Sequence, residues 1–147
     1  MATYDKQKML TEVTAKASAT WKLATQLFGP KVGVMPEIRM NARLTSTGGR
    51  AMTRTQKNVA INPMLVEWMD FSCFLLLHNH DEFLGQTVPH ECAHFIALRV
   101  YGDEGHGKGF KFVMEKLGCR PERCHSMKSK AQMEKEITPR KRITSEV

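Results

Sequence analysis

The 147-residue chain has few cysteines and no long apolar run. Its longest strongly apolar stretch, Phe71 to Leu77, is far shorter than the roughly 20 residues needed to cross a bilayer. The N-terminus lacks the apolar segment of a secretory signal, and four scattered cysteines do not form a disulfide framework. We therefore expect a cytoplasmic protein with reduced thiols and no membrane partner.

The composition is that of one ordinary folded domain. Hydrophobic residues make up 41% and charged residues 25% of the chain, and the mean hydropathy is −0.37. These values exclude wholesale disorder, collagen and a coiled coil. Because no heptad pattern is visible, we expect a monomer.

Positive charge is concentrated towards the C-terminal end. The net charge is +7, but residues 1–105 carry 11 basic and 10 acidic groups, whereas residues 106–147 carry 11 and 5. Such an excess suits contact with a polyanion, because basic side chains displace the counterions condensed on phosphates. A solvated basic tail is the alternative. We predict a domain over residues 1–125, followed by a basic, flexible tail over residues 126–147.

The first part of the chain is typical of one helix followed by a small sheet. Apolar residues recur at three- and four-residue steps over residues 4–28, which predicts an amphipathic helix. Alternating apolar and polar residues over 38–44 predict a strand, followed by a turn at residues 48–49. Two more segments, 50–55 and 58–61, complete a predicted antiparallel sheet of three strands.

Three further helices are predicted downstream. Residues 62–63, Asn-Pro, are a typical helix start and predict an apolar helix from Met64 towards Leu77. Another predicted helix covers residues 88–101, and a last one lies around residues 110–117, after a polar loop over 103–108. The fold class that follows is α+β, in a single domain.

The sequence HECAH at residues 90–94 lies on the predicted helix 88–101. Residues four apart share one face of a helix, so His90 and His94 can bind one metal ion with Glu91 beside a water on that ion. This is the HExxH pattern of zinc peptidases, and it predicts one zinc site. Two surface histidines that flank a helical glutamate are the alternative.

A catalytic zinc site needs a third protein ligand further along the chain. The metzincin continuation is absent, because Ala97 and Val100 occupy the positions of its glycine and histidine. Glu115 on the following predicted helix and His106 in the preceding loop are the remaining candidates. We favour His106, because the glycines of that loop let the chain turn back and imidazole is a good zinc ligand.

The order of these motifs resembles the SprT-like metallopeptidase family, which includes Spartan. The resemblance extends over about residues 5–125. It is carried by TVPHECAH (87–94), YG (101–102), HGKGF (106–110), LG (117–118), GRA (49–51), INPML (61–65) and RPERCH (120–125). Phe110 departs from the family, which often has tryptophan at that position.

The resemblance implies a zincin-like fold and a zinc-dependent protease. His90, His94 and His106 would bind one zinc ion, and Glu91 would be the general base. Zinc would lower the pKa of a water, Glu91 would take its proton and pass it to the leaving amine, and the hydroxide would attack the peptide carbonyl. Tyr101 and His125 are candidates for the oxyanion stabiliser, although structural roles are favoured for both.

The resemblance also implies a substrate class and a second partner. Family members cleave proteins bound or crosslinked to DNA, so the partners would be a protein substrate and DNA, single-stranded or junction-containing, at a nucleoid- or DNA-associated location. Basic residues near the predicted site could contact its phosphates, although ordinary surface charge explains them equally well. They are Lys108, Lys111, Lys116, Arg120 and Arg123.

Two other functions stay open at this point. One is a non-catalytic DNA-binding protein in which the zinc is structural. The other is a zinc peptidase that acts on a regulator protein without DNA. A second zinc site is not expected, because Cys119, Cys124 and His125 offer at most three ligands. Cys92, between the two ligand histidines, is predicted to be a buried thiol.

Overall fold

A computed structural model of the chain describes residues 3–56, 64–122, 125 and 127–137. Within those ranges, no helix combines the length and the apolar character needed to cross a membrane. The elements in chain order are α1 (Lys6–Phe28), a 3-10 turn (Pro30–Val32), β1 (Glu37–Asn41), β2 (Gly49–Gln56), β3 (Met64–Ser72), α2 (Cys73–His78), α3 (His80–Glu82), a π-helical turn (Phe83–Thr87), α4 (Val88–Tyr101), α5 (Lys108–Lys116) and α6 (Lys130–Ile137).

Helix α1 confirms the predicted N-terminal helix. The Asp5 carboxylate caps it by accepting a hydrogen bond from the Lys8 backbone N–H at 3.1 Å. It ends at Gly29, whose φ of +83° lies in the region that favours glycine. One stripe of the helix is buried in the core, at Met9, Val13, Ala17, Trp21 and Ala24.

The α+β class is confirmed, but the strand directions differ from the prediction. The sheet has the order β1-β3-β2, in which β3 is parallel to β1 and antiparallel to β2. The prediction of a fully antiparallel sheet is therefore wrong for one of its two pairs. The predicted strand over residues 58–61 lies outside the described residues. The strand that pairs with β1 and β2 is one that the sequence pattern did not predict.

That strand is β3, and the prediction of a helix beginning near Met64 is wrong. Residues 64–72 form the central strand, and helical structure begins only at Cys73. The Ser72 hydroxyl marks the change: it accepts from the Leu75 N–H at 3.0 Å and donates to the Leu44 carbonyl at 2.7 Å. Apolar spacing over this segment suits both structures, and pairing with two distant strands decides between them.

The two faces of the sheet have different characters. Ile38, Met69 and Gly49 belong to the inner face, whose buried side chains join the core formed with α1 and α4. Because side chains alternate along a strand, the intervening residues form the outer face. Arg39 and Arg50 on that face are 43% exposed.

Helix α4 confirms the predicted helix over residues 88–101. It continues directly from the π-helical turn, in which the Val88 N–H donates to the Phe83 carbonyl five residues earlier. Pro89 has no N–H to donate, and local widening of the helix accommodates that loss. The helix ends at Gly102 in a left-handed conformation with φ of +70°.

The Arg99 side chain ties α4 to three other parts of the fold: the 3-10 turn with the residues after it, β3 and α1. Its Nη1 donates to the carbonyls of Val32 at 2.6 Å and Val34 at 2.7 Å, and its Nη2 donates to Glu67 Oε1 at 2.8 Å. The guanidinium also lies 5.3 Å from the centre of the Trp21 ring. This contact set, called the Arg99 clamp below, holds α4 against α1 and β3.

The C-terminal part contains more structure than the predicted flexible tail. Helix α5 confirms the predicted last helix of the domain. Beyond residue 125, Met127 is buried, α6 follows, and the Lys130 N–H donates to the Thr45 carbonyl at 3.1 Å. The boundary between domain and tail stays a prediction.

Replacing Arg99 by Lys tests the Arg99 clamp. Lysine keeps the charge but cannot reach three oxygens with one planar group. We expect the free energy of unfolding, measured by urea denaturation, to fall by about 2 kcal/mol. The control is Arg43→Lys, because the Arg43 side chain is exposed after β1 and only its backbone N–H donates, to Asn41 Oδ1. It should change stability by less than about 0.5 kcal/mol; equal losses in both variants would contradict the clamp.

Candidate metal centre

Three histidine side chains converge at one end of the cleft beside α4. His90 and His94 lie one turn apart on that helix, and His106 lies in the loop between α4 and α5. The Nε2 atom of His90 is 3.2 Å from that of His94 and 3.3 Å from that of His106. Together they form a group that could hold a metal ion. The structure brings His106, which was favoured over Glu115 from the sequence, to the other two histidines, and its role as a metal ligand stays a prediction.

The distances from the His90 nitrogen to the other two fit neighbouring ligands of a tetrahedral ion. With metal–nitrogen bonds of about 2.0–2.1 Å, neighbouring ligand atoms of a tetrahedron lie about 3.3 Å apart. Burial, together with the charges of the neighbouring rings, lowers the pKa of His90 to about 3 and that of His94 to about 4. Both rings are therefore neutral at physiological pH and offer lone pairs to a metal. Imidazole ligands suit zinc and several other transition metals.

Backbone groups orient two of the three rings. The backbone of Glu122 hydrogen-bonds to the His90 ring, and the backbone of Gly105 hydrogen-bonds to the His94 ring. Each of these contacts raises the pKa of the ring and partly offsets the effect of burial. A contact that raises the pKa stabilises the N–H form, so the ring is the donor and the backbone carbonyl is the acceptor. Metal-binding histidines generally use their second nitrogen in this way, which fixes the tautomer and the ring orientation.

The Asp103 carboxylate organises the loop that carries His106. Oδ1 accepts from the Gly105 N–H at 2.9 Å, and Oδ2 accepts from the Phe110 N–H at 2.9 Å. These backbone donors lower the pKa of Asp103, because they stabilise the ionised form. The same carboxylate therefore closes the loop and caps the first turn of α5.

Glu91 lies next to the histidine cluster in an almost fully buried position. Its Oε2 is 3.9 Å from His90 Nε2. Burial raises the pKa of Glu91 to about 8. Because the His90 ring is neutral over the same range, the metal-free pair is not an ion pair at neutral pH. A nearby cation would favour the carboxylate form and lower this pKa.

The space for Glu91 depends on a residue without a side chain. A Cβ atom at Gly49 would lie 2.7 Å from Glu91 Cγ, 3.0 Å from Phe71 Cδ1 and 3.2 Å from the Asp70 carbonyl. Contacts this short require the neighbours to move. From the sequence, residues 48–49 were predicted only as a turn, and their close packing against α4 was not foreseen.

A cleft of about 700 Å³ extends from the histidine cluster along β2. Residues 46–51 and Thr53 line one side, and α4, Glu104 and His106 line the other. Within the described sheet, β2 pairs with β3 on one side only, so its other edge runs along the cleft. The cleft therefore combines a metal-binding group, a buried carboxylate and an open strand edge.

The basic residues predicted to contact DNA do not line this cleft. Lys108, Lys111 and Lys116 are exposed on α5. Arg120 is engaged in ion pairs with Glu82 and with Glu122. Arg123 lies outside the described residues. Their contact with DNA stays a prediction.

Three other residues considered from the sequence have structural surroundings. Cys92 is fully buried, as predicted, and burial raises the pKa of its thiol. Tyr101 packs edge-to-face against Phe28, away from the cleft. His125 lines the cleft, but its Nε2 donates to the Ser46 carbonyl at 2.7 Å.

One positioning residue had no signal in the sequence. The Gln86 amide donates to the Arg120 carbonyl at 2.5 Å and accepts from the Arg120 N–H at 3.1 Å. It thereby holds the segment after α5, whose Glu122 backbone orients His90. Asp103 could have been found, since an aspartate before a glycine-rich turn commonly accepts from backbone N–H groups.

Comparisons with known proteins place these residues in a family context. A profile of the SprT-like family matches residues 17–130. Protein SprT of Pasteurella multocida is 31% identical over 116 residues, which is 78% of this chain and 62% of that protein. Protein SprT of Pseudomonas entomophila is 39% identical over 59 residues, which is 38% of this chain and 36% of that protein.

A third relative, Protein SprT of Salmonella newport, is 43% identical over 53 residues, which is 35% of this chain and 32% of that protein. The chain thus spans less than two thirds of the length of the curated relatives it matches. No solved structure matches it significantly.

Replacing Asp103 by Asn tests the support of the His106 loop. The amide keeps the size of the side chain but offers one acceptor oxygen instead of two. We expect metal affinity, measured by competition with a coloured chelator, to fall about 10- to 100-fold. Asp81→Asn is the matched control, because Asp81 is fully exposed on α3 and should leave the affinity unchanged. Unchanged affinity in both variants would show that the loop holds His106 without Asp103.

The stability of the metal-free protein should be greatest near pH 6.5. The folded pKa values of His90 and His94, about 3 and about 4, lie below the ordinary 6.5, so below pH 6.5 the unfolded chain binds more protons and stability falls. Glu91 acts in the opposite direction. Its pKa is about 8 in the folded protein against 4.5 in the unfolded chain, so stability is lost as the pH rises from 4.5 to 8. Between pH 4.5 and 6.5 the two histidines outweigh the one carboxyl.

Urea denaturation of chelator-treated protein across this pH range measures that profile. Glu91→Gln should remove the decline on the alkaline side and keep the decline on the acid side. An equal alkaline decline in wild type and variant would contradict the assignment to Glu91.

Proposed function

This chain belongs to the SprT-like family, and from that premise we propose that it is a zinc-dependent peptidase that cleaves proteins bound or crosslinked to DNA. The observation that carries the proposal is the arrangement of the cleft. His90, His94 and His106 converge where Glu91 is buried, and the open edge of β2 runs beside them.

The proposed chemistry is hydrolysis of a peptide bond. When bound by the three histidines, zinc would supply Lewis acidity that acidifies a water and polarises the scissile carbonyl. Glu91 takes a proton from the attacking water and returns it to the leaving amine. Burial raises the pKa of Glu91 in the metal-free protein, and a bound cation would lower it again, so that the carboxylate would be available to accept a proton when the metal is present.

The substrate would bind as an extended segment along β2. The open edge of this strand offers backbone N–H and carbonyl groups to a peptide that adds to the sheet. Backbone pairing would bind a peptide of any sequence. The side chains that line the cleft, among them Thr53, Phe95 and Leu98, would set the preference for particular residues of that peptide. A peptide must be unfolded to bind in this way, so loops and exposed termini are the expected cleavage sites.

DNA enters the proposal as the partner that brings the substrate. The chain carries a net charge of +7, with an excess of basic residues towards its C-terminal end. Such a charge favours phosphate backbones irrespective of base sequence. A protease bound to DNA would meet DNA-bound proteins at high local concentration, which confers selectivity without a specific cleavage motif.

Replacing Glu91 by Gln tests the peptidase. We expect cleavage of a DNA-crosslinked protein to fall about 100-fold or more, because the proton acceptor is lost while the three histidines remain. The assay compares rates with and without single-stranded DNA, at equal zinc content. Glu104→Gln is the matched control, since Glu104 is an exposed carboxylate on the same cleft, and it should keep activity within a few-fold.

The outcomes separate the proposal from its two alternatives. Cleavage that requires Glu91 and is accelerated by DNA supports it. If zinc-loaded wild type binds DNA but cuts none of the substrates, the protein is a non-catalytic DNA-binding protein with structural zinc. If it cleaves equally well without DNA, a peptidase that acts on a regulator protein replaces the DNA-dependent one.

A further inference from the structure

We propose that the outer face of the sheet binds single-stranded nucleic acid through its arginines and Trp68. The strand register places these residues on one surface. Glu37 of β1 is opposite Trp68 of β3, and Arg50 of β2 is opposite Asp70 of β3. Since alternate residues share a face, Arg39 and Arg54 belong to the same surface.

Trp68 and Arg39 form a stacked pair at the centre of this face. The Arg39 guanidinium lies 4.3 Å from the centre of the half-buried Trp68 ring. Aromatic rings and planar guanidinium groups are the two side-chain surfaces on which unpaired bases stack. Trp68 would therefore stack against a base of the bound strand, in addition to its packing in the sheet.

Ion pairs orient two of the arginines without using all of their donors. Arg50 Nη2 donates to Asp70 Oδ2 at 2.5 Å, and Arg39 Nη2 lies 3.2 Å from Glu37 Oε2. The Asp70 carboxylate is itself fixed by the Asn41 amide at 3.0 Å. A guanidinium has five N–H donors, so each arginine can contact a phosphate while it keeps its carboxylate.

The shape of the face favours a single strand over a duplex. The two outer strands β1 and β2 lie about 10 Å apart across β3, which gives a shallow platform rather than a protruding element. Duplex DNA is read by helices or ribbons that enter its grooves, whereas unpaired bases lie flat against sheets. An acidic protein would pair with the arginines, but it has no unpaired bases to stack on Trp68.

Strand β2 connects this face to the cleft. Its outer-face side chains, Arg50 and Arg54, belong to the platform, and its free edge lines the cleft. A nucleic acid strand bound here would lie beside a peptide held at that edge. This link to proteolysis rests on the proposed function, whereas the binding itself does not.

The test is fluorescence anisotropy of a labelled thymidine oligonucleotide titrated with the full chain. Arg39→Gln/Arg54→Gln removes two positive charges from the platform and leaves Arg50 to neutralise Asp70. We expect affinity to fall about ten-fold or more, with the slope of log K against log salt reduced by about 1.4 for two lost phosphate contacts. Lys8→Gln/Lys22→Gln on exposed positions of α1 is the charge-matched control and should change affinity less than three-fold.

A second readout isolates Trp68. The only other tryptophan, Trp21, is buried, so quenching of tryptophan emission by the oligonucleotide reports on Trp68. Trp68→Phe should abolish the quenching while urea denaturation shows a folded protein. Repeating the titration in the Glu91→Gln variant should give the same affinity, so that a failure of proteolysis is distinguishable from a failure of binding.

Several results would overturn the proposal. If Lys111→Gln/Lys116→Gln lowers affinity and the arginine pair does not, the nucleic acid binds at α5 instead. Equal affinity for a duplex of the same length would remove the preference for single strands. Equal competition by polyglutamate would show a general anion surface, and unchanged tryptophan emission on saturation would exclude base stacking on Trp68.

Discussion

Desolvation of Glu91, His90 and His94 on α4 is the constraint on which the rest of the structure depends. A buried carboxyl needs space, and the absence of a side chain at Gly49 supplies it. The half-buried His90 and His94 rings need fixed orientations, which backbone groups of Glu122 and Gly105 supply. These groups are spread over residues 49–122, so the cleft exists only when the segments that carry them have folded together.

Rigidity in this domain comes from a few polar side chains with several partners each. The Arg99 clamp holds α4 from one side, and Gln86 and Asp103 hold the segments on the other. Each of these groups bonds to backbone atoms as well as to neighbouring elements. A metal ligand on a loop, such as His106, can then be held nearly as firmly as the two on the helix.

Locally encoded features could be predicted from the sequence, and those that depend on distant pairing could not. Helices α1 and α4 have strong periodicity and clear ends, and the choice of His106 followed from ligand chemistry and loop glycines. The prediction for residues 64–72 was wrong because their apolar spacing also suits a helix. Pairing with β1 and β2 is what makes this segment a strand. The outer-face surface around Trp68 could not be predicted for the same reason, because the strand register must be known before residues can be assigned to a shared face.

The strand order has a consequence for how the protein folds. Since β3 lies between β1 and β2, the two earlier strands do not pair with each other and must wait for a segment that follows both. Pairing of this kind is non-local and delays folding compared with a simple hairpin. On the ribosome, β1 and β2 would emerge with unpaired edges until residues 64–72 leave the exit tunnel. The sheet is therefore ordered only after β3 has been synthesised, and the open edge of β2 is formed in the same step.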